Sequence, residues 1–456
     1  MRRTLCRGMA NPEKKNVEPR RISRRAGFTL LSSIASRLLS AGLSFIAAPL
    51  LVTLLGREHY GYWITIVSTV AMLSFSDFGI GSGLINIVAT SLARAEVQAI
   101  RRAISSAFFL LGGIGLLLGA IALLCYFVVQ WQKIFLVADQ GAADGYSRAL
   151  LILSLFSFIA LPFSIVQRVQ FANHEGYFVQ MWQGAGALMT LCALMLSVRM
   201  KVGMSILAIS IGGPPMLSVV MNWGDFFLRR RPDWLPRLSD WNIREAAGLL
   251  SSGSFFLVLQ LGSILVFSID NLILMHFFGP DTVTQYSLVA KLFQIPNMLA
   301  SMWFAALWPS YAHALARSDV AWIKWNLVVT TVLATLATLI AVCLLSYFIS
   351  PVVFAWTGVH VAPSLSLLIA LSLSAMLVVG TSSISIYLSA SRVLSGQAML
   401  VFMYAMVSLP LAALLTRVLG PSGVAWSIAI GYLVTIVPGY CLAVPRLLRQ
   451  QSAQAM

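Results

Sequence analysis

Apolar stretches of about 20 residues, long enough to cross a hydrocarbon core of roughly 30 Å, recur about twelve times along this chain. They lie near residues 27–54, 60–88, 103–129, 148–171, 178–198, 203–223, 247–276, 283–307, 322–348, 363–389, 395–416 and 423–443. The polar connections between them are too short to hide a soluble domain. The pattern predicts an all-α polytopic membrane protein with about 12 transmembrane helices.

Three of the connections repeat one another. The turn between the first two segments reads LLGREHYGYW, that between the seventh and eighth reads FFGPDTVTQYS, and that between the last two reads VLGPSGVAWS. Each is an apolar pair, a glycine, a short polar turn and then an aromatic residue opening the returning helix. Glycine suits a tight, partly left-handed turn, and an aromatic residue there suits the headgroup zone. Recurrence at the first and seventh segments predicts two six-helix lobes related by an axis along the membrane normal. The expected division is a disordered basic tail (1–26), an amino-terminal lobe (27–227), a basic linker (228–246), a carboxy-terminal lobe (247–444) and a short tail (445–456).

Composition agrees, with 59% hydrophobic and 10% charged residues and a mean hydropathy of +0.86. The formal charge of +16 has a topological reading, because short cytoplasmic loops retain Lys and Arg. An inside amino terminus puts Arg94, Arg101, Arg102, Arg168, Arg229, Arg230, Arg231, Arg237, Arg244, Arg317, Lys324, Arg392, Arg446 and Arg449 on the cytoplasmic side. The other side receives Arg57, Lys133, Arg148, Arg199, Lys201 and Arg417. Both termini are therefore expected in the cytoplasm, the basic tail beside anionic membrane lipids. The same sorting removes the reason to invoke nucleic acid as a partner. Cys6, Cys125, Cys192, Cys343 and Cys441 are scattered without metal-ligand spacing and read as packing residues.

Against this apolar background, Arg37, Asp77, Asp270 and Lys291 fall inside predicted spans. Charges in hydrocarbon are costly and usually pair, face a protein interior, or mark a functional path. Arg37 and Asp77 flank the first turn at similar distances, roughly 25 Å inward by helical rise, and Asp270 and Lys291 flank the Gly279-Pro280 turn, roughly 10 to 14 Å inward. Each set is either an internal salt bridge holding its hairpin or a functional pair, with Asp77 and Asp270 also open to ion coupling. In the first segment Ser33, Arg37, Ser40 and Ser44 recur on one helix face, and the eighth carries Ser287, Lys291, Gln294, Asn297 and Ser301 at similar steps. Aligning Gly56 with Gly279 sets Arg37 against Gln260 and Ser40 against Ser263. These stripes are candidate walls of a central cavity. The serines alone fit helix packing, whereas packing does not require the long polar side chains.

The stretch LLGREHYGYWITIVSTVAMLSFSDFGIGSGLINIVA, with its G-x-x-x-Y-G-x-W turn and D-x-G-I-G-x-G ending, resembles the amino-terminal part of bacterial polysaccharide transporters of the O-antigen flippase type. These belong to the multidrug/oligosaccharidyl-lipid/polysaccharide (MOP) flippase superfamily. The stretch SIDNLILMHFFGPDTVTQYSLVAKLFQIPNMLASMWFAALWPSYAHALARSD is similar to the seventh and eighth helices of that family. The resemblance implies two lobes that open a central cavity alternately to each side of the bacterial inner membrane. It also implies a cargo of oligosaccharide on an undecaprenyl pyrophosphate carrier, with a polysaccharide polymerase and a chain-length regulator as partners in making O-antigen, capsule or exopolysaccharide. Arg37 and Lys291 are the candidates for the pyrophosphate. Gln260, Gln294 and Asn297, with Ser33, Ser40, Ser44 and Ser263, are the candidates for sugar hydroxyls, and the polyprenyl tail is free to stay in lipid. If Asp77 and Asp270 neutralise the cations, the cavity is less positive than a pyrophosphate favours.

The chain has no G-x-x-x-x-G-K-[ST] phosphate loop and no H-E-x-x-H ligand set, so no cofactor, metal or direct ATP use is expected. Two other readings compete with the flippase. A cation-coupled multidrug antiporter would share the architecture but requires a mostly apolar, drug-sized pocket. A membrane-bound polysaccharide polymerase or ligase would need a large outer catalytic loop, and the longest such loop, 130–147, is short.

Overall fold

The computed structural model describes residues 12–73, 79–94, 96–135, 137, 139–251, 269–391 and 394–455; side chains are described from residue 35 onward, with a few exceptions that include Arg37. It is all-α. The long helix α1 (Pro12–Leu73) is followed by α2 (Ile80–Ala93), α3 (Val97–Val128), α4 (Trp131–Phe135), α5 (Gln140–Phe163), α6 (Ile165–Ala172), α7 (Gly176–Met200) and α8 (Met204–Gly224). After a connecting segment come α9 (Ile269–Phe278), α10 (Pro280–Phe293), α11 (Ile295–Ala316), α12 (Val320–Thr357), α13 (Leu365–Ala390), α14 (Leu394–Leu419), α15 (Ser422–Gly431) and α16 (Val437–Ala455). Among the described residues, nine helical stretches are long and apolar enough to cross a bilayer, with shorter apolar pieces at Gly83–Ala93 and Ile269–Phe278.

The repeated glycines carry the repeated geometry. Gly56 interrupts α1 at φ 78° and ψ 172°, and Gly279 divides α9 from α10 at φ 79° and ψ −178°. Positive φ with an extended ψ is essentially restricted to glycine. The two turns are conformational copies, as their sequences anticipate. Gly420, in the third copy, also has positive φ.

The aromatic residues after the first two turns are buried. Tyr60 and Trp63 are 1% and 2% exposed, and Tyr286 is 5% exposed. Tyr60 and Tyr286 lie where the two hairpins pack against each other. Residues from Pro12 onward continue α1, a start that suits proline, whose missing N–H costs nothing in the first helical turn.

Helix contacts fall into two groups. Helix α1 packs on α5 and α7, which join α3 and α8, while α13 gathers α11, α12 and α15 in the other group. The groups meet chiefly where α1 touches α9, α10 and α12. The connecting segment is pinned to the first group. Arg101 Nε lies 2.7 Å from Asp240 Oδ2, Arg230 Nη1 lies 3.4 Å from Glu175, and Trp234 is buried. Arg230 and Asp240 thus anchor this segment.

Candidate functional site

The seam between the two hairpins is built at the turns themselves. Gly61 faces the carbonyl of Pro280 so closely that any Cβ would overlap the backbone oxygen. Thr284 Oγ1 donates to the Arg57 carbonyl at 2.7 Å. Arg57 also makes a two-point contact with the Asp281 carboxylate, its Nη2 donating to Oδ2 at 2.9 Å and its Nε facing Oδ1. The contact continues about 18 Å down the second arm of α1, where Asn271 Nδ2 donates to Ser68 Oγ at 2.8 Å. The Arg57 and Asp281 side chains are 39% and 52% exposed, so their pairing is worth less than about 1 kcal/mol. Close packing at Gly61 matters more. Gly61→Val is expected to lose roughly 1 to 3 kcal/mol by overpacking, and Asp281→Ala under about 1 kcal/mol. Thermal melts of the two purified proteins check the ranking.

Below the seam lies a cavity of about 290 Å³. Its walls come from the second arm of α1 (Tyr60, Ser68), α9 (Asp270, Asn271), the α10–α11 junction (Ser287, Lys291, Gln294, Asn297) and α13 (Ser374). Four of the five residues of the polar stripe read from the eighth segment therefore face one space, because steps of four, three and three residues keep one helix face, while Ser301 is not in its lining. Gln294 caps the break between α10 and α11, beside Pro296.

Asp270 and Lys291 both line this cavity but do not form the expected ion pair. The Asp270 carboxylate accepts from the Tyr286 hydroxyl at 3.1 Å, whereas Lys291 Nζ donates to the Ser44 carbonyl at 2.8 Å and lies 5.9 Å from the Phe45 ring centroid. Among the described residues neither makes a salt bridge. Equal spacing from a turn sets equal depth, but the side-chain directions differ: Asp270 turns to the helix following its own turn, and Lys291 reaches to the first arm of α1. Lys291 is thus a tie between the two helix groups.

The remaining predicted residues divide as follows. Ser40 and Ser44 are exposed on the first arm of α1. Arg37 and Ser33 lie on the same arm, Arg37 about two turns before Ser44, and their side chains are outside the description. Asp77, Gln260 and Ser263 lie outside the described residues. Tyr286, Asn271, Ser68 and Ser374 complete the cavity and were not among the sequence candidates. Only Asn271, next to Asp270, carried a local signal.

No metal-ligating cluster of His, Cys, Asp or Glu occurs among the described residues. The cavity instead offers one carboxylate, one ammonium and several amide and hydroxyl groups. Such a set can bind an uncharged polyol through hydrogen bonds and an anion at Lys291.

These features define a multi-pass helical membrane protein with an internal polar cavity where two helix groups meet. The chain belongs to the polysaccharide biosynthesis protein family, whose model matches residues 29–315. It is 23% identical over 302 residues to a Salmonella typhimurium strain LT2 protein named "Putative O-antigen transporter", covering 65% of this chain and 66% of that one. It is 24% identical over 296 residues to a Yersinia pseudotuberculosis protein named "Putative O-antigen export protein", covering 63% and 65%. The matched region thus spans just under two thirds of these relatives' length. Among solved structures, a multidrug resistance MATE family transporter of the MOP superfamily, inward-facing, superimposes with a TM-score of 0.74 at 13% identity, covering 93% of this chain and 96% of that one. The lipid II flippase MurJ, inward closed, gives 0.66 at 13% identity, covering 91% and 87%. The fold is the one these two structures share, and the protein is a multi-pass inner-membrane protein.

Proposed function

We propose that this protein is a transporter, not an enzyme, that moves an undecaprenyl-pyrophosphate-linked oligosaccharide from the cytoplasmic to the outer leaflet by alternating access. The observation that carries this reading is the cavity under the Gly61–Pro280 seam. It concentrates Lys291, Gln294, Asn297 and Asn271 on one side of a membrane-embedded space, and packing alone does not call for such groups. Family membership and the names of the relatives point to the same class of cargo. Lys291 holds the pyrophosphate together with Arg37, and the amides bind the sugar. Two lobes, 27–227 and 247–444, rock about the seam with both termini in the cytoplasm, and the polysaccharide polymerase and chain-length regulator take up the product.

Arg37 carries a specific expectation. Its planar fork matches phosphate oxygens in a way that an ammonium does not. Arg37→Ala is therefore expected to abolish polymer export at normal membrane expression, with partial export in Arg37→Lys. Full export by Arg37→Ala removes Arg37 from the site.

The function itself is tested by deletion. Undecaprenyl-linked oligosaccharide should accumulate on the cytoplasmic face while the surface polymer disappears. The buried Asp270 carboxylate in the cavity favours a second reading, a cation-coupled multidrug antiporter. In that case deletion alters drug susceptibility and leaves the polymer intact.

A further inference from the structure

A second cavity, of about 400 Å³, lies inside the first helix group, between the second arm of α1, the inner half of α5 with α6, and α8. It shares Val67 with the polar cavity, so the two cavities adjoin at that residue. The second cavity's lining carries fewer polar side chains than that of the polar cavity. Val70, Leu153, Phe156, Met216 and Val219 supply most of the second wall. Of its polar side chains, Ser157 Oγ already donates to the Leu153 carbonyl at 3.0 Å and Ser164 Oγ to the Leu161 carbonyl at 2.6 Å. Arg168 stands at the end of the wall on α6, just past the α5–α6 break. Both long walls are interrupted by proline, Pro162 in α5 and Pro214-Pro215 in α8. A proline lacks the N–H that would bond the carbonyl four residues earlier, and the space opens beside these weakened turns.

A sugar placed here would leave hydroxyls unpaired, at about 1 to 3 kcal/mol each. An aliphatic chain meets no such cost, and the volume lies within the usual range for a bound small molecule. The more polar cavity and the less polar one beside it match the two parts of an amphiphile. Resting on the lipid-linked cargo proposed above, we propose that this second cavity holds the phosphate-proximal part of the cargo's isoprenoid chain inside the protein, while the polar cavity holds the head. The tail then does not remain wholly in bulk lipid.

The test uses the full chain in detergent and native mass spectrometry with undecaprenyl phosphate as probe. Ala160→Trp and, more mildly, Ser157→Phe fill the cavity from α5, and Ile159→Trp places the same bulk on the exposed side of that helix. A methyl-capped sugar diphosphate serves as a head-only probe and reports that the polar cavity is folded. Both filling variants are expected to lower retention of undecaprenyl phosphate at least tenfold, with Ile159→Trp at the wild-type level and head-only binding unchanged. Wild-type retention in both filling variants overturns the proposal. So does equal competition by phosphatidylglycerol, which would make the cavity a site for bulk lipid chains. If the head-only probe fails to bind even the wild-type protein, the flippase reading falls separately from the tail site.

Discussion

Lys291→Ala is expected to abolish export of surface polysaccharide by a protein that still inserts and accumulates in the membrane. Lys291 is half-buried, donates to the Ser44 carbonyl across the junction of the two helix groups, and is the ammonium of the polar cavity. A charge-assisted hydrogen bond to a phosphate is worth about 1.5 to 3 kcal/mol, or roughly ten- to a hundredfold in affinity. The substitution also leaves Asp270 facing an anionic cargo without a nearby cation. Both effects act in the same direction. Lys291→Arg should retain part of the activity, because charge and donors survive while the geometry changes. Complementation of a deletion strain, normalised to the amount of protein in the membrane, checks this. Normal export by Lys291→Ala would mean that the lysine is only a tie to Ser44.

The second large effect is expected at Asp270, and two substitutions separate its roles. Asp270→Asn keeps an oxygen that can accept from Tyr286, so the fold should hold, but the negative charge is lost. Asp270→Leu leaves the Tyr286 hydroxyl without its acceptor in a buried site, at a cost of about 1 to 3 kcal/mol. If Asp270 carries the coupling ion, Asp270→Asn loses ion-dependent transport at least tenfold while its melting temperature stays near that of the wild type. Asp270→Leu loses both. Transport by Asp270→Asn at the wild-type rate, with the same response to ion gradients, would reduce the carboxylate to a partner of Tyr286.

Much of the architecture was legible in the sequence for reasons that are local. Hydrophobic runs set the helices, and a glycine recurring in similar turns gave the shared conformation of Gly56 and Gly279. One-face spacing brought Ser287, Lys291, Gln294 and Asn297 to a single cavity. What was not legible depended on direction and on distant partners. The spacing of Asp270 and Lys291 about Gly279 fixed their depth but not their rotamers, so the expected pair dissolves into bonds to Tyr286 and Ser44. The latter lies 247 positions away in the chain. The close approach of Gly61 to Pro280 likewise depends on how the hairpins pack, and no local pattern announces that contact. The apolar cavity on α5 and α8 was hidden for a further reason: its lining is indistinguishable in sequence from ordinary lipid-facing residues.

The central claim is that this chain carries a lipid-linked glycan across the bilayer, and purified protein in proteoliposomes tests it directly. Labelled undecaprenyl-pyrophosphate oligosaccharide is placed in the inner leaflet, and an external glycosidase reports arrival in the outer one. The wild-type protein is expected to expose the sugar many times faster than empty vesicles, and Lys291→Ala is expected not to. An unchanged distribution with and without ion gradients, together with export of a small cationic dye by the same vesicles, would contradict the account and leave the antiporter in its place.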